Sequence, residues 1–350
     1  MKKQIKELFD TWLKEEGEDF AGVLSATDEH GVLYEKAIGL QDRSHNLPCQ
    51  VDTAFGIASG TKLFTGLAIC RLIDKGLLKL EDNLGDIFQR DLGQIDKGIT
   101  IYQLLTHTSG VGDYVDEDAE DFDAQYEALM TKYPAHLWKN MEYYWQMITD
   151  LPPKFKPGER FCYSNSGFIL LGLVVEAVSG LSYQAFVQRE IIEPCGLTHT
   201  GFYPNNALPP NTSLGYAQDE DTGKWQVNTG HLPIIGGSDG GIYACAADID
   251  KLWRCIFKGD VLSPEMTAAF LKPQVVSEED EEDNSIESYG LGVYHYQEGD
   301  KSFYFIIGVD NGVGFFSGYY PATKIVLSSF SNTGYHGAFL HDAPFLCVSS

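Results

Sequence analysis

One short stretch near residue 60 constrains the fold more than any other part of the sequence. Residues 56–69, Gly-Ile-Ala-Ser-Gly-Thr-Lys-Leu-Phe-Thr-Gly-Leu-Ala-Ile, predict an apolar segment that turns into a buried helix, with Ser59 at its entrance and Lys62 one turn further on. Residues three apart in a helix share a face, so the Ser59 hydroxyl and the Lys62 amine can meet. An amine that has lost its proton in a dry pocket can take the hydroxyl proton, and a helix N-terminus favours a developing oxyanion. The stretch therefore predicts a nucleophilic serine.

The same spacing also occurs on ordinary solvated helix faces, so it is not diagnostic alone. Here the surrounding apolar residues leave little of the helix free to face water. A lysine buried in such a helix needs a reason.

A second polar group stands at Tyr163-Ser164-Asn165, just before the strongly apolar segment 168–178. A phenol can relay protons and an amide can hold a carbonyl group, and side chains two apart in a loop can project the same way. The alternative interpretation is a turn that caps the following helix. Both interpretations stay open on the sequence.

Composition limits the classes of partner. The chain has 350 residues, 43% of them apolar and 21% charged, which is typical of a folded soluble protein. A formal net charge of −25 argues against nucleic acid and anionic membrane surfaces as partners. A small molecule or a peptide is the expected substrate, and nothing indicates the oligomeric state.

No cofactor or metal is expected from the motifs. Phosphate-loop, dinucleotide and zinc signatures are absent, and the seven cysteines lack any Cys-x-x-Cys pair, so buried free thiols are predicted. The N-terminal segment 1–17 carries charges every few residues and has no apolar core. We therefore expect no signal peptide and a cytoplasmic location.

The order of predicted elements gives the fold class. Strands are predicted near both ends of the chain and helices between them, while the acidic segment 275–288 predicts an exposed loop. The predicted strands lie at 20–25, 32–39, 290–297, 302–308, 313–320 and 324–330. We expect an α/β (α+β) fold in which one antiparallel sheet, built from both termini, is flanked by helices and interrupted by a mostly helical domain.

This division predicts a sheet domain from residues 1–60 and 230–350, a helical domain from 61–229, and an active site between them. Within the helical part, residues 113–150 are acidic and rich in aromatic side chains. They fit either the core of a helical excursion, which we favour, or a lid that grips an apolar substrate.

Taken together, four elements make the chain resemble the serine β-lactamase and penicillin-binding protein superfamily, in the class C-like branch with D-alanyl-D-alanine carboxypeptidases and related esterases. The resemblance covers about residues 20–330. Its elements are Ser59-x-x-Lys62, Leu104-Leu105-Thr106-His107-Thr108-Ser109-Gly110, Tyr163-Ser164-Asn165 and Gly240-Gly241-Ile242-Tyr243-Ala244.

The resemblance implies a covalent acyl-enzyme mechanism. Ser59 would attack a carbonyl group while Lys62 and Tyr163 remove its proton, and the same two residues would return it to the leaving group. Asn165 would orient the substrate. The oxyanion hole would use the Ser59 N–H and an N–H of the edge strand of the sheet.

That strand departs from the family pattern. The family usually has Lys or His, then a small residue, then Gly, whereas residues 307–315 contain neither Lys nor His. We assign Asp310, Asn311 and Gly312 as substrate-binding residues there. Asp310 would repel a substrate carboxylate or attract an amine.

Competing interpretations centre on two residues. Ser238 lies in Gly-x-Ser-x-Gly, the pattern of a nucleophile elbow, but the strand and helix that such an elbow requires are not predicted around it. His107 could pair with a serine, although a structural histidine is favoured. Two functions remain: a serine hydrolase that cleaves an ester or an amide, with D-amino-acid peptides among the candidates, or a catalytically weak binding or regulatory protein.

Overall fold

A computed structural model describes residues 2–15, 17–117, 119–219, 221–230, 232–334 and 338. Its α-helices are α1 Lys2–Glu15, α2 Thr61–Asp74, α3 Leu84–Ile87, α4 Ile101–Leu105, α5 Phe122–Lys132, α6 Glu142–Ile148, α7 Asn165–Ser179, α8 Tyr183–Val187, α9 Ala246–Lys258 and α10 Pro264–Leu271. Short 3₁₀ turns lie at Ala58–Gly60, Ala135–Leu137 and Asn228–Gly230, and a π-helical turn at Gln188–Ile192.

The strands are β1 Gly22–Asp28, β2 Gly31–Ile38, β3 Leu40–Asp42, β4 Leu47–Pro48, β5 Phe55–Gly56, β6 Tyr216–Gln218, β7 Trp225–Val227, β8 Tyr243–Ala244, β9 Val275–Asp280, β10 Ser285–Tyr289, β11 Tyr294–Glu298, β12 Lys301–Asp310, β13 Val313–Tyr320 and β14 Ile325–Ser331.

Both ends of the chain build one large sheet. It has eight strands in the order β2-β1-β14-β13-β12-β11-β10-β9, and each neighbouring pair is antiparallel. The predicted fold class is therefore confirmed: an antiparallel sheet from both termini, flanked by helices, with most of the other helices between β2 and β9. The domain boundaries at residues 60 and 230 stay a prediction.

Alternation along the central strands sends side chains into two cores. On β13, Phe315 packs in the larger core with the residues of α2, α7 and α9, while Phe316 packs in a smaller core. The smaller core contains Ile5 and Phe9 of α1, so this helix covers the second face of the sheet. On the first face, the Trp253 indole N–H of α9 donates to Ser317 Oγ at 2.9 Å.

Helix α2 is enclosed by protein. Every residue from Thr61 to Cys70 is buried, so the helix has no solvated face in this span. Its close approach to the β10–β11 connection occurs at Gly66, where a Cβ atom would stand 2.1 Å from the carbonyl oxygen of Leu291. The predicted buried helix is thus confirmed, and Lys62 enters the core with it.

The prediction of a loop at residues 275–288 is wrong. Strands β9 and β10 occupy this segment and extend the sheet to its far edge. The burial of β9 is low, and three of its six residues are acidic. An edge strand needs little apolar surface, and charges on it oppose pairing with other molecules, so the composition resembled that of a loop.

The described cysteines are free thiols, as predicted. Cys49, Cys70, Cys162, Cys195 and Cys245 are buried, and Cys255 is half-buried. Cys347 lies outside the described residues.

Among the described helices, no single one is long and apolar enough to cross a membrane. The bent pair Asn165–Ser179 and Tyr183–Ile192 passes the test of length and composition only when the two are joined.

We expect Gly66→Ala to lower the free energy of unfolding by about 1–3 kcal/mol, because its methyl group would overlap backbone that cannot move aside cheaply. Alanine otherwise favours helix over glycine by about 1 kcal/mol. The matched control is Gly167→Ala in α7, whose Cβ would stand no closer than 3.4 Å to its neighbours. Urea unfolding of both variants measures the difference, and equal stabilities would contradict the proposed contact.

Candidate active site

Ser59 lies in a strained turn that the sheet side and the helical side hold together. Strand β5 pairs with β8 immediately before the turn. Ala58 follows with a φ of +43°, a left-handed conformation that costs free energy for a residue with a side chain. Ser59 then occupies the 3₁₀ turn Ala58–Gly60, and α2 begins at Thr61. The predicted position of Ser59 at the helix entrance is confirmed, in the 3₁₀ turn that directly precedes α2.

The Lys62 amine joins three separate parts of the chain. Its Nζ lies 3.0 Å from Ser59 Oγ, 2.8 Å from Asn165 Oδ1 and 2.9 Å from the Asp239 carbonyl oxygen. A neutral amine has two N–H donors and one lone pair. Asn165 and Asp239 offer only acceptor oxygens here and take both donors, so the lone pair is left for the hydroxyl proton of Ser59.

Burial favours this neutral form. It lowers the pKa of Lys62 from its ordinary value, while the negative charges of Asp239, Glu117, Asp113 and Asp310 act in the opposite direction. The net shift is downward. Lys62 can therefore accept a proton from Ser59 at a lower pH than a surface lysine could.

Tyr163 completes the group around the serine. Its hydroxyl lies beside that of Ser59, and its ring centroid lies 4.7 Å from the Lys62 Nζ. Burial raises the pKa of this phenol well above its ordinary value, so the hydroxyl stays protonated and can donate.

Asn165 is fixed by four hydrogen bonds. Besides the bond from Lys62, its Nδ2 donates to the Val115 carbonyl oxygen at 3.1 Å and to Glu117 Oε1 at 2.8 Å. Its backbone N–H donates to Asp113 Oδ2 at 2.8 Å. The side-chain amide thus has its two donors directed at protein groups, and it positions Lys62 from this side.

Both interpretations of the Tyr-Ser-Asn element hold at once. Ser164 is the N-cap of α7 and accepts from the Gly167 N–H at 3.0 Å, while its neighbours on either side reach Ser59 and Lys62. Burial raises the pKa of Asp113, which anchors the first turn of α7, to about 6, because its carboxyl group is enclosed.

His107 supports the loop that carries Tyr163 and Ser164. Its Nδ1 accepts from the Ser164 N–H at 3.0 Å, and its ring contacts those of Tyr163 and Phe168. Burial lowers the pKa of the imidazole well below its ordinary value, so the ring is neutral. The structural role predicted for His107 is confirmed.

The Gly-x-Ser-x-Gly sequence forms a turn and not a nucleophile elbow. Ser238 is buried, and its hydroxyl donates to the Phe168 carbonyl oxygen at 2.8 Å. The next residue, Asp239, gives the site its backbone carbonyl, as described above. That contact could not be predicted from the sequence, because any residue type carries a carbonyl group.

The cleft beside Ser59 is open on one side of β12. Strand β11 pairs with β12 only as far as Phe305, so residues 306–310 pair with β13 alone. Gly308 lies directly against the serine turn: a Cβ there would stand 2.1 Å from the Ile57 carbonyl oxygen and 2.9 Å from the Ser59 nitrogen. Only glycine lets the strand approach this closely.

The cleft encloses about 760 Å³ of space, part of it open to solvent. Its described lining residues are Ser59, Lys62, Leu63, Glu117, Tyr163, Tyr289, Gly292, Tyr294, Ile306, Ile307, Gly308 and Val309.

The lining shows which part of β12 forms the cleft wall. The wall is Ile306–Val309, whereas Asn311 and Gly312 form the turn into β13 and are engaged by protein: the Asn311 carbonyl accepts from Asn228, and Gly312 packs on Tyr216. The prediction that this strand lies at the edge of the sheet is wrong. β12 lies between β13 and β11, and only its residues 306–310 do not pair with β11. The register of this strand is left open by the sequence, because residues 307–315 lack the cationic residue of the family. The role of Asn311 and Gly312 in substrate binding stays a prediction.

Asp310 stands one residue beyond the wall, at the end of β12. The residue keeps an exposed surface, yet loss of hydration raises the pKa of its carboxyl to about 7, with Asp239 and Glu117 acting in the same direction. Its predicted role in substrate binding stays a prediction.

The aromatic residues of 113–150 belong mainly to the core. Trp138, Tyr144 and Trp145 are buried. From this segment only Glu117 lines the cleft in the described part of the chain. The favoured interpretation of a packed helical excursion therefore agrees with the structure.

The fold and the pair of Ser59 and Lys62 together place the chain in the superfamily of serine β-lactamases and penicillin-binding proteins. The beta-lactamase family matches residues 9–346 in sequence, so the chain belongs to that family.

Similar proteins extend this finding. A penicillin-binding protein from Bacillus halodurans has a solved structure that is 35% identical, with a TM-score of 0.87, and the match covers 97% of this chain and 98% of that one. Penicillin-binding protein 4* of Bacillus subtilis (strain 168) is 27% identical over 78% of this chain and 59% of its own length. The chain thus spans about three fifths of that relative. A D-stereospecific amidohydrolase from Streptomyces shares the fold, with a TM-score of 0.81 at 21% identity over all of both chains.

The reactivity of Ser59 is expected to rise with pH as Lys62 loses its proton. The charge of Asp239 raises the pKa of Lys62, so Asp239→Asn should move the rise in the pH profile of Ser59 reactivity to lower pH. The rate of fluorophosphonate labelling of Ser59, measured from pH 5 to 10, tests the shift. Asp300→Asn removes an exposed carboxylate far along the chain and serves as the control. If the pH profile shifted equally in both variants, Asp239 would have no specific effect on the pKa of Lys62.

Proposed function

We propose that this protein is a serine hydrolase that cleaves an ester or an amide through an acyl-enzyme on Ser59. The observation that carries the proposal is the Lys62 amine, buried and held by two acceptors so that its remaining position faces Ser59 Oγ. A small molecule or a peptide is the proposed substrate. Peptides and amides of D-amino acids are among the candidates that the family resemblance supports.

The first chemical step forms the bond between Ser59 Oγ and the substrate carbonyl carbon. The hydroxyl proton passes to Lys62, and the leaving group takes a proton from the Lys62 and Tyr163 pair as its bond to carbon breaks. Water then attacks the ester on Ser59, and the same pair accepts its proton. The acid is released and the Ser59 hydroxyl is restored.

The oxyanion of each tetrahedral intermediate needs donors beside Ser59. The backbone nitrogen of Ser59 lies close to β12 at Gly308, and the locally unpaired stretch of that strand supplies further backbone groups. The N–H groups in the first turn of a helix have no intrahelical acceptor, which suits an anion at this place. We propose that Ser59 and β12 form the oxyanion hole between them.

The second candidate is a binding or regulatory protein with little catalysis. The observation that favours it is the wall of β12, where Ile306 and Ile307 stand and the family has a cationic or polar residue. A protein that lost substrate recognition could keep the serine site as part of its fold. The intact contacts of Ser59, Lys62, Tyr163 and Asn165 favour the enzyme.

Intact-protein mass spectrometry separates the two candidates. The protein is treated with a fluorophosphonate and, separately, with a penicillin, and Ser59→Ala is the control. We expect a fluorophosphonate adduct that is lost in Ser59→Ala, because Lys62 activates the hydroxyl.

The penicillin result reports on the cleft wall, since penicillins carry a carboxylate. We expect little or no penicillin adduct, because the described lining residues offer no free cation. An adduct from neither reagent would contradict the hydrolase and favour the binding protein.

A further inference from the structure

Among the described lining residues of the cleft, one carboxylate takes no part in the acid–base chemistry. Glu117 lines the cleft together with Ser59 and Lys62, and its residue is exposed. Its Oε1 accepts from Asn165 Nδ2 at 2.8 Å, and Asn165 Oδ1 in turn accepts from the Lys62 amine at 2.8 Å. The carboxylate is therefore connected to the reacting serine by a short series of hydrogen bonds, which fixes where it points.

One oxygen of this carboxylate is available to a ligand. Within the described part of the chain, Oε2 of Glu117 has no hydrogen-bond partner. An oriented carboxylate with a free oxygen at the wall of a cleft is a good acceptor for an ammonium group.

Among the described residues of the cleft wall, no free cation balances this negative charge for an anionic substrate. Lys62 is the one basic residue among the described lining residues, and its amine is committed to Ser59, Asn165 and Asp239. The opposite wall is apolar, with Ile306, Ile307 and Val309. A substrate carboxylate would lose its hydration there without gaining a partner, which costs free energy.

Asp310 adds to the negative field. Asp310 keeps an exposed surface at the end of β12, and loss of hydration raises the pKa of its carboxyl to about 7, with the charges of Asp239 and Glu117 acting in the same direction. A cation bound at Glu117 would favour the ionised form of Asp310.

We infer that the cleft selects acyl substrates that carry a protonated amine beside the scissile carbonyl, with Glu117 as the residue that binds the ammonium group. An apolar side chain of the same substrate would pack on Ile306 and Ile307. Aminoacyl amides and esters with a free amino group are the chemical class that meets both requirements. This inference rests on the proposed function, because it names the substrate class of the same serine site.

The reaction balances as an ordinary hydrolysis. The bond from the aminoacyl carbon to its amine or alcohol breaks as the bond to Ser59 forms, and the leaving group departs with a proton. Water then cleaves the ester and releases the free amino acid. The ammonium group keeps its proton throughout, so Glu117 is a binding residue and takes no part in proton transfer.

The test compares matched substrates. The methyl esters and p-nitroanilides of D- and L-phenylalanine are prepared in three forms: with a free amine, N-acetylated and N-succinylated. These forms carry a positive, a neutral and a negative group at one position. We expect kcat/KM to fall in that order, with the free amine favoured over the acetylated form by about 10- to 100-fold, the range of a charge-assisted hydrogen bond.

Glu117→Gln should reduce this ratio of free to acetylated substrate toward one. The ratio is the readout because any change that Gln causes at Asn165 or Lys62 affects both substrates alike. Asp310→Asn should reduce the ratio less, and Glu81→Gln, which removes an exposed carboxylate outside the lining, should leave it as it was. Fluorophosphonate labelling of each variant shows that Ser59 is still in place.

Failure of the inference differs from failure of the proposed function. If Ser59 is labelled but no free-amine substrate is turned over, or if Glu117→Gln keeps the wild-type ratio, the amine preference is overturned and the hydrolase stands. If neither labelling nor turnover of any substrate occurs, both are overturned.

Discussion

The structure depends on one amine held away from water. Lys62 lies on a helix whose first ten residues are all buried. Its amine can be buried there because Ser59, Asn165 and Asp239 provide hydrogen-bond partners. An unpaired buried lysine would be strongly destabilising. Three segments that are distant in sequence therefore have to meet at its Nζ: the serine turn, the start of α7 and the Gly-rich turn at Asp239.

Close backbone packing makes that meeting possible. Gly308 lets β12 touch the serine turn, and Gly66 lets α2 touch the β10–β11 connection. His107 and Asp113 hold the first turn of α7 through its backbone N–H groups. These contacts carry no chemistry themselves. They fix the distance between the hydroxyl group of Ser59 and the amine that activates it, and catalysis of this kind is sensitive to such distances.

Much of the fold and of the proton-transfer group could be predicted from the sequence because each had a local signal. The spacing of Ser59 and Lys62, the cap at Ser164 and the alternating strands near the C-terminus act within a few residues. The acidic strand β9 could not be predicted, because an edge strand needs neither alternation nor apolar content.

Other parts of the site could not be predicted, for a different reason. The Asp239 contact uses a backbone carbonyl, which every residue has. Glu117 lies in an acidic segment where no single carboxylate stands out, and only the fold selects it. The register of β12 is set by Gly308 against the serine turn, a contact that no pattern within the strand reveals.

The most direct measurement of the central claim is the titration of Lys62 itself. The protein is labelled with ¹³C at the lysine Cε, and Lys62→Arg identifies the resonance. We predict a midpoint below 10.5, the ordinary value for a lysine pKa, since burial outweighs the nearby carboxylates. A midpoint at or above that value would mean that Lys62 is a structural cation, and Ser59 would then need another base.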